Sequence, residues 1–248
     1  MADKEEPRPF HDRCACFDQR GDRQPERVGF HGELQDTAAP GWVRLLRLID
    51  EADADGREEF APLRDMSAEH RRQIVTLPPT IARLTRVKHL LLYGSDLVRI
   101  PPEIGDMASL EEFTPYTSYR LHWFPYELTR CANLRQSTVS TRALYGNFKT
   151  RPPFPELKQN RKGFTYSELD PGEWGATSIR TCSVCAGPIP ATGPHQVWIS
   201  KGVATDVLPL LVNACSESCV EALPEPAGGH VPTVHRGGPD APRPEAGL

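Results

Sequence analysis

Apolar positions in this chain recur at a fixed long spacing. Three stretches open in the same way, Leu77-Pro78-Pro79, Ile100-Pro101-Pro102 and Phe124-Pro125-Tyr126, spaced 23 and then 24 residues apart. Two places after each doublet stands an apolar residue: Ile81, Ile104, Leu128. Three further on come Leu84, Met107 and Cys131, then Val87, Leu110 and Leu134. A period of this length predicts one short strand plus a helical turn per unit. Strand alternation then puts Leu90 and Leu92, and Phe113 and Pro115, on the core side. The residues between them face outward: His89, Leu91 and Tyr93, then Glu112, Thr114 and Tyr116, then Gln136, Thr138 and Ser140. The proline doublets suit the extended turn leaving each strand, since proline fixes φ and donates no hydrogen bond. Upstream, Trp42, Leu45, Leu46 and Ile49 recur at helical spacing, with Arg44, Arg47, Asp50 and Glu51 opposite, which predicts an amphipathic helix behind Pro40 and Gly41. A second short helix is expected from Ser67, as N-cap, to about Ile74. Both helices would seal the first strand.

The first unit, Val87, Leu90, Leu92, Ser95 and Leu97, matches the pattern LxxLxLxxNxL. The second reads Leu110, Phe113, Pro115, Ser118 and, one residue late, Leu121; the third reads Leu134, Ser137, Val139, Arg142 and Leu144. On these residues the chain resembles leucine-rich repeat proteins over 77–157. The resemblance implies an α/β fold, a short solenoid of parallel strands with a helical cap, whose concave face holds a protein partner on the nine outward residues named above. The family's buried asparagine is replaced here by Ser95, Ser118 and Arg142. A serine hydroxyl supplies part of that bonding and an arginine does not, so the array is expected to end at the third unit.

Cysteine is the second signal. Of seven, four form two tight pairs, Cys182-x-x-Cys185 and Cys215-x-x-x-Cys219, the spacing of a tetrahedral structural Zn2+ site with no open position. Cys182 to Ile189 reads as a knuckle turn. Residues 195–200 and 207–212 read as a hairpin around Lys201-Gly202. Cys215 and Cys219 lie at the start of a short helix capped by Ser216 and ended by Pro224. Knuckle, hairpin and helix-borne pair resemble a treble-clef zinc finger. Cys131 stands where Leu84 and Met107 stand, so it reads as a core residue. Cys14 and Cys16, near His11 and His31, offer a looser second donor set. Glu51-x-Asp53-x-Asp55-Gly56 resembles the opening of a calcium loop, but its twelfth place is Pro62, which excludes one.

Composition sets the remaining expectations. With 38% hydrophobic residues and 25 prolines, disorder is expected over 1–35 and 225–248, around a helical cap (36–76), the repeats (77–160), a linker (161–178) and the zinc-finger-like module (179–224). The polar N-terminus and the lack of an 18-residue apolar run argue against a membrane, and reduced thiols suit the cytoplasm. Arginine exceeds lysine 23 to 6, as in a GC-rich bacterial genome. No phosphate loop, G-x-S-x-G elbow or H-E-x-x-H helix is present, and a non-enzymatic interaction protein is expected. The alternative is a zinc-dependent nucleic-acid-binding or regulatory protein. A net charge of −4, with no basic footprint on the finger, argues against nucleic acid as the partner.

Overall fold

The 23- and 24-residue spacings of the chain become the register of a sheet. A computed structural model describes residues 28–146, 154–157, 179–238 and 241–242. Strands β1 (Glu59–Phe60), β2 (His89–Leu91), β3 (Glu112–Thr114) and β5 (Gln136–Ser137) pair in that order, all parallel. His89 lies opposite Glu112, and Glu112 opposite Gln136, so each coil of chain stacks on its equivalent in the next. The first strand was not expected: Glu59–Phe60 lies inside the stretch read as purely helical cap, and two residues are too few to show alternation.

Each doublet does two jobs. Pro78, Pro101 and Pro125 are extended, with φ near −75 to −71, and the next residue opens a 3₁₀ turn: Pro79–Arg83, Pro102–Asp106 and Tyr126–Arg130. These turns drive Ile81, Ile104 and Leu128 into one core with Leu84, Met107 and Cys131 beneath them. Stacking is close enough that a Cβ on Gly105 would lie 2.6 Å from the Glu127 carbonyl oxygen.

The N-terminal end of the stack is closed by α1 (Pro40–Asp55), which buries Trp42, Leu45, Leu48, Ile49 and Ala52. It ends at Gly56, whose φ of 63 lets its N–H bond the Ala52 carbonyl. Helix α2 (Ala68–Arg72) is capped by the Ser67 hydroxyl, which accepts from the His70 N–H, and stops at Gln73, short of Ile74. The Gln73 side chain is drawn back to accept from the Gly41 N–H of α1.

The opposite end is closed by a long antiparallel hairpin, β6 (His195–Val203) and β7 (Asp206–Ala214). Its β7 pairs in parallel with β4 (Phe124–Pro125), giving a second sheet in the order β4-β7-β6. Val197, Ile199, Leu208, Leu210 and Val212 enter the same core as the stacked coils. The hairpin turns at Ala204-Thr205, not at Lys201-Gly202. Gly202 lies within β6, while Ala204 takes φ 51. The deciding contacts are tertiary: the Thr205 hydroxyl donates to the Ser137 carbonyl at 2.7 Å and accepts from the Ser137 N–H at 3.1 Å.

Two stretches expected to be disordered are in part packed. Residues 28–36 run as a strap across successive coils. Tyr145 donates to the Gly29 carbonyl, Arg99 to the carbonyls of His31 and Glu33, and Gln35 bonds Gln73 and Val75. Arg99 is buried, and desolvation lowers it to about 9. At the other terminus, His235 bridges Trp198 on the outer edge of β6. Phe154, Tyr145, Trp123, Trp198 and Val231 form a second apolar cluster beneath it. The low apolar content of these stretches predicts disorder, but their described residues pack by covering an edge that the rest of the chain leaves open. The remainder of the expected tail, the N-terminal segment and the linker lie outside the described residues.

Candidate functional site

The four paired cysteines converge. The Sγ atoms of Cys182, Cys185, Cys215 and Cys219 all lie within 4.8 Å of one another, with Cys185 to Cys215 and Cys215 to Cys219 both 3.6 Å. Four thiolates about 2.3 Å from one zinc stand roughly 3.8 Å apart, so the cluster has the dimensions of a tetrahedral site.

Local sequence explains the convergence. Thr181 bridges Pro188, and the Cys182 N–H bonds the Gly187 carbonyl at 2.7 Å. Ala186 takes φ 57 to close this knuckle. Cys215 follows directly on β7, and Cys219 lies in α3 (Glu217–Glu221), whose N-cap Ser216 accepts from the Cys219 N–H. Cys182 Sγ receives the N–H groups of Val184, Cys185 and Cys215 at 3.3–3.5 Å. Burial alone would raise this thiol, but those donors outweigh it and bring it down to about 7. Cys215 is pushed up to about 12, first by its hydrogen bond to Cys185 and then by the one to Cys219. A divalent cation takes the place of protons shared between the sulfurs, and with four sulfurs at this spacing the donor set fits a zinc ion that is held by protein ligands alone. Such an ion supplies cross-linking, since a full set of four thiolates leaves no position for substrate.

Cys131 stands apart. It is buried beside the Ile104 carbonyl, and burial, then Asp106, push its thiol up to about 12. Cys14, Cys16 and His11 lie outside the described residues; His31 is engaged elsewhere, its Nε2 being 3.2 Å from Nε2 of His122 and its Nδ1 3.0 Å from Glu33.

The residues expected to face outward form the other candidate surface, although Tyr93, Tyr116, Thr138 and Ser140 lie beyond the ends of β2, β3 and β5. Tyr93 and Tyr116 are 62% and 44% exposed, with ring centroids 5.9 Å apart. His89 Nδ1 lies 3.0 Å from Glu112, which also accepts from the Thr114 hydroxyl. Leu91, Thr114 and Thr138 are half-buried and Gln136 is exposed. Ser140 differs: it is buried, and its hydroxyl accepts from the Thr117 N–H at 2.8 Å. It thereby does the loop bonding for which Arg142, at the expected position, is unsuited; Arg142 is exposed.

No family model and no curated protein matches this chain. Among solved structures, a leucine-rich repeat protein of Leptospira interrogans aligns with 39% of this chain and 33% of its own length, at 18% identity and a TM-score of 0.25. The chain thus spans a third of that protein, and so partial a likeness carries no argument. The protein has an α/β fold with parallel stacked strands and a four-cysteine cluster. No helix among the described residues is long and apolar enough to cross a membrane.

Residues behind the cysteines were not foreseen from sequence. Arg130 donates through Nη2 to the carbonyls of both Cys182 and Ser183 at 3.0 Å. Glu127, only 2% exposed, accepts from the Ser183 hydroxyl at 2.7 Å, and desolvation raises its carboxyl. Glu127 occupies the place of Thr80 and Glu103 in the other units, a polar slot beside an apolar one, and nothing local marks it for burial.

Proposed function

We propose that this chain is a non-enzymatic interaction protein. A short leucine-rich-repeat array offers its open strand face to a protein partner, and a structural zinc site fixes the lid at its C-terminal end. The observation that carries the reading is the pair of exposed tyrosines, Tyr93 and Tyr116, side by side in the turns that follow β2 and β3, one coil apart. Large aromatic side chains with few rotatable bonds lose little conformational freedom on binding and make effective anchors. His89, Leu91, Glu112, Thr114, Gln136 and Thr138 surround them as a mixed polar rim. Ser140 belongs to the support, not the rim.

The test is quantitative capture from the source cell with wild-type protein and with the Tyr93→Ala/Tyr116→Ala variant. A partner retained by wild type is expected to be lost from the variant by tenfold or more, with the melting temperature of the variant unchanged. Equal retention by both proteins would move the binding surface elsewhere, and no retention by wild type would remove the reading.

A further inference from the structure

The hairpin joins the cysteine cluster to the far side of the last coil. At about 3.3 Å per residue, nine-residue strands span roughly 30 Å. The base of the hairpin carries the cysteines, since β6 and β7 lie between the two pairs. Its middle pairs with Phe124–Pro125. Its tip grips β5: the Ser137 hydroxyl donates to Asp206 at 2.8 Å and lies 3.1 Å from the Val203 carbonyl, in addition to the two Thr205 bonds. β5 is an outer strand of the open sheet and has no other strand beyond it among the described residues.

At the base, the knuckle is fastened twice. Ser183 exchanges backbone and hydroxyl bonds with Asn213 of β7, its N–H donating to the Asn213 carbonyl and its Oγ accepting from the Asn213 N–H, both at 2.9 Å. The same hydroxyl donates to Glu127 of the third 3₁₀ turn. Arg130, one turn on, donates to the carbonyls of Cys182 and Ser183. A dication with four thiolates carries a net charge of −2, and the Arg130 guanidinium lies behind the knuckle where it offsets part of that charge.

We infer that Glu127 and Arg130 are positioning residues for the metal, and that through them and the hairpin the metal holds strand β5 of the open face in place. This rests on the zinc reading of the four cysteines. Glu127 aims the knuckle through Ser183; Arg130 ties the same knuckle to the coil. With metal bound, knuckle, α3 and hairpin base move as one body. Without it, the knuckle keeps only the Ser183–Asn213 bonds and those to Glu127 and Arg130, and the hairpin loses the metal cross-link at the end opposite its grip on Ser137.

The experiment uses the full chain loaded with zinc. Metal content by mass spectrometry first establishes one zinc per chain; a chain that binds none removes both the site and the coupling. Competition with a chromophoric chelator then compares wild type with Glu127→Ala, Arg130→Ala and Glu127→Gln. Outer-sphere partners of metal ligands typically contribute about 10–100-fold in affinity. That loss is expected for the two alanine variants, and near-wild-type affinity for Glu127→Gln, which keeps the acceptor for Ser183. Cobalt(II) in place of zinc should give an altered thiolate charge-transfer band in Glu127→Ala and a wild-type band in Glu127→Gln. Hydrogen exchange at residues 136–138 should accelerate tenfold or more when zinc is stripped, while residues 89–91 change little. If zinc binds stoichiometrically but exchange at 136–138 is unmoved, or the alanine variants hold zinc as tightly as wild type, the coupling is wrong and the metal site stands without it.

Discussion

At the scale of single residues, the polar groups inside the stack decide how coils register. Ser118 Oγ lies 2.6 Å from the Ser95 hydroxyl, accepts from the Ser95 N–H and donates to the Leu92 carbonyl, so one hydroxyl joins two coils. Ser118→Ala is expected to destabilise by about 1–3 kcal/mol, the range for stripping a partner from buried polar groups. Ser95→Ala should cost less, because its hydroxyl reaches only Ser118; urea midpoints of the two variants measure the difference. His235 supplies a pH dependence. Its Nδ1 accepts from the Gly237 N–H at 3.0 Å, its ring lies edge-on to Phe154, and burial lowers it to about 4. The unfolded chain takes up this proton near pH 6.5 and the folded chain only near 4. The contribution is therefore complete above 6.5 and fades as pH falls toward 4, by on the order of 3 kcal/mol. Thermal melts across that window should show the decline in wild type, and a smaller one in His235→Asn, which keeps an acceptor and does not titrate. The serines were visible from the repeat pattern. His235 was not, because its burial comes from Trp198 and Phe154, far away in sequence.

At the scale of elements, stacked 3₁₀ turns set how closely coils approach. The turn Pro102–Asp106 lies against Tyr126–Arg130 through Gly105, where a methyl group would meet backbone, not a yielding side chain. Gly105→Ala is accordingly expected to destabilise by about 1–3 kcal/mol, read as a lowered chemical-denaturation midpoint with unchanged slope. Elements whose signal is local were legible: α1 from its spacing, both serine caps from their place before a helix, the turns from their prolines. The two-residue strand β1 and the true turn of the hairpin were not. The first is too short to carry a period, and the second is selected by the contact of Thr205 with Ser137, not by turn residues.

At the scale of the whole molecule, several cations among the described residues pair with carboxylates. Arg83 pairs with Asp50 and Asp53, Lys88 with Glu58, Arg135 with Glu111 and Arg120 with Glu33. Phosphate binding needs free cations and is strongest at low salt. With a net charge of −4, the chain is expected to give no retardation of DNA or RNA in gel shifts at low ionic strength. A shift that weakens steeply with added salt would favour nucleic acid over protein as the partner.

The sequence alone determined whatever repeats or lies close in the chain: the coil period, the inward columns at Ile81, Ile104 and Leu128, and the two cysteine pairs. Each is a spacing that backbone geometry converts directly into a face or a ligand set. Tertiary structure alone decided which polar groups are buried and what they hold. Glu127 and Arg130 reach a knuckle more than 50 residues away, Arg99 holds the strap at His31, and Ser140 replaces Arg142 in the loop. Such burial depends on which distant segment covers a position, and a polar residue waiting to be covered looks, in one dimension, like any other on the surface.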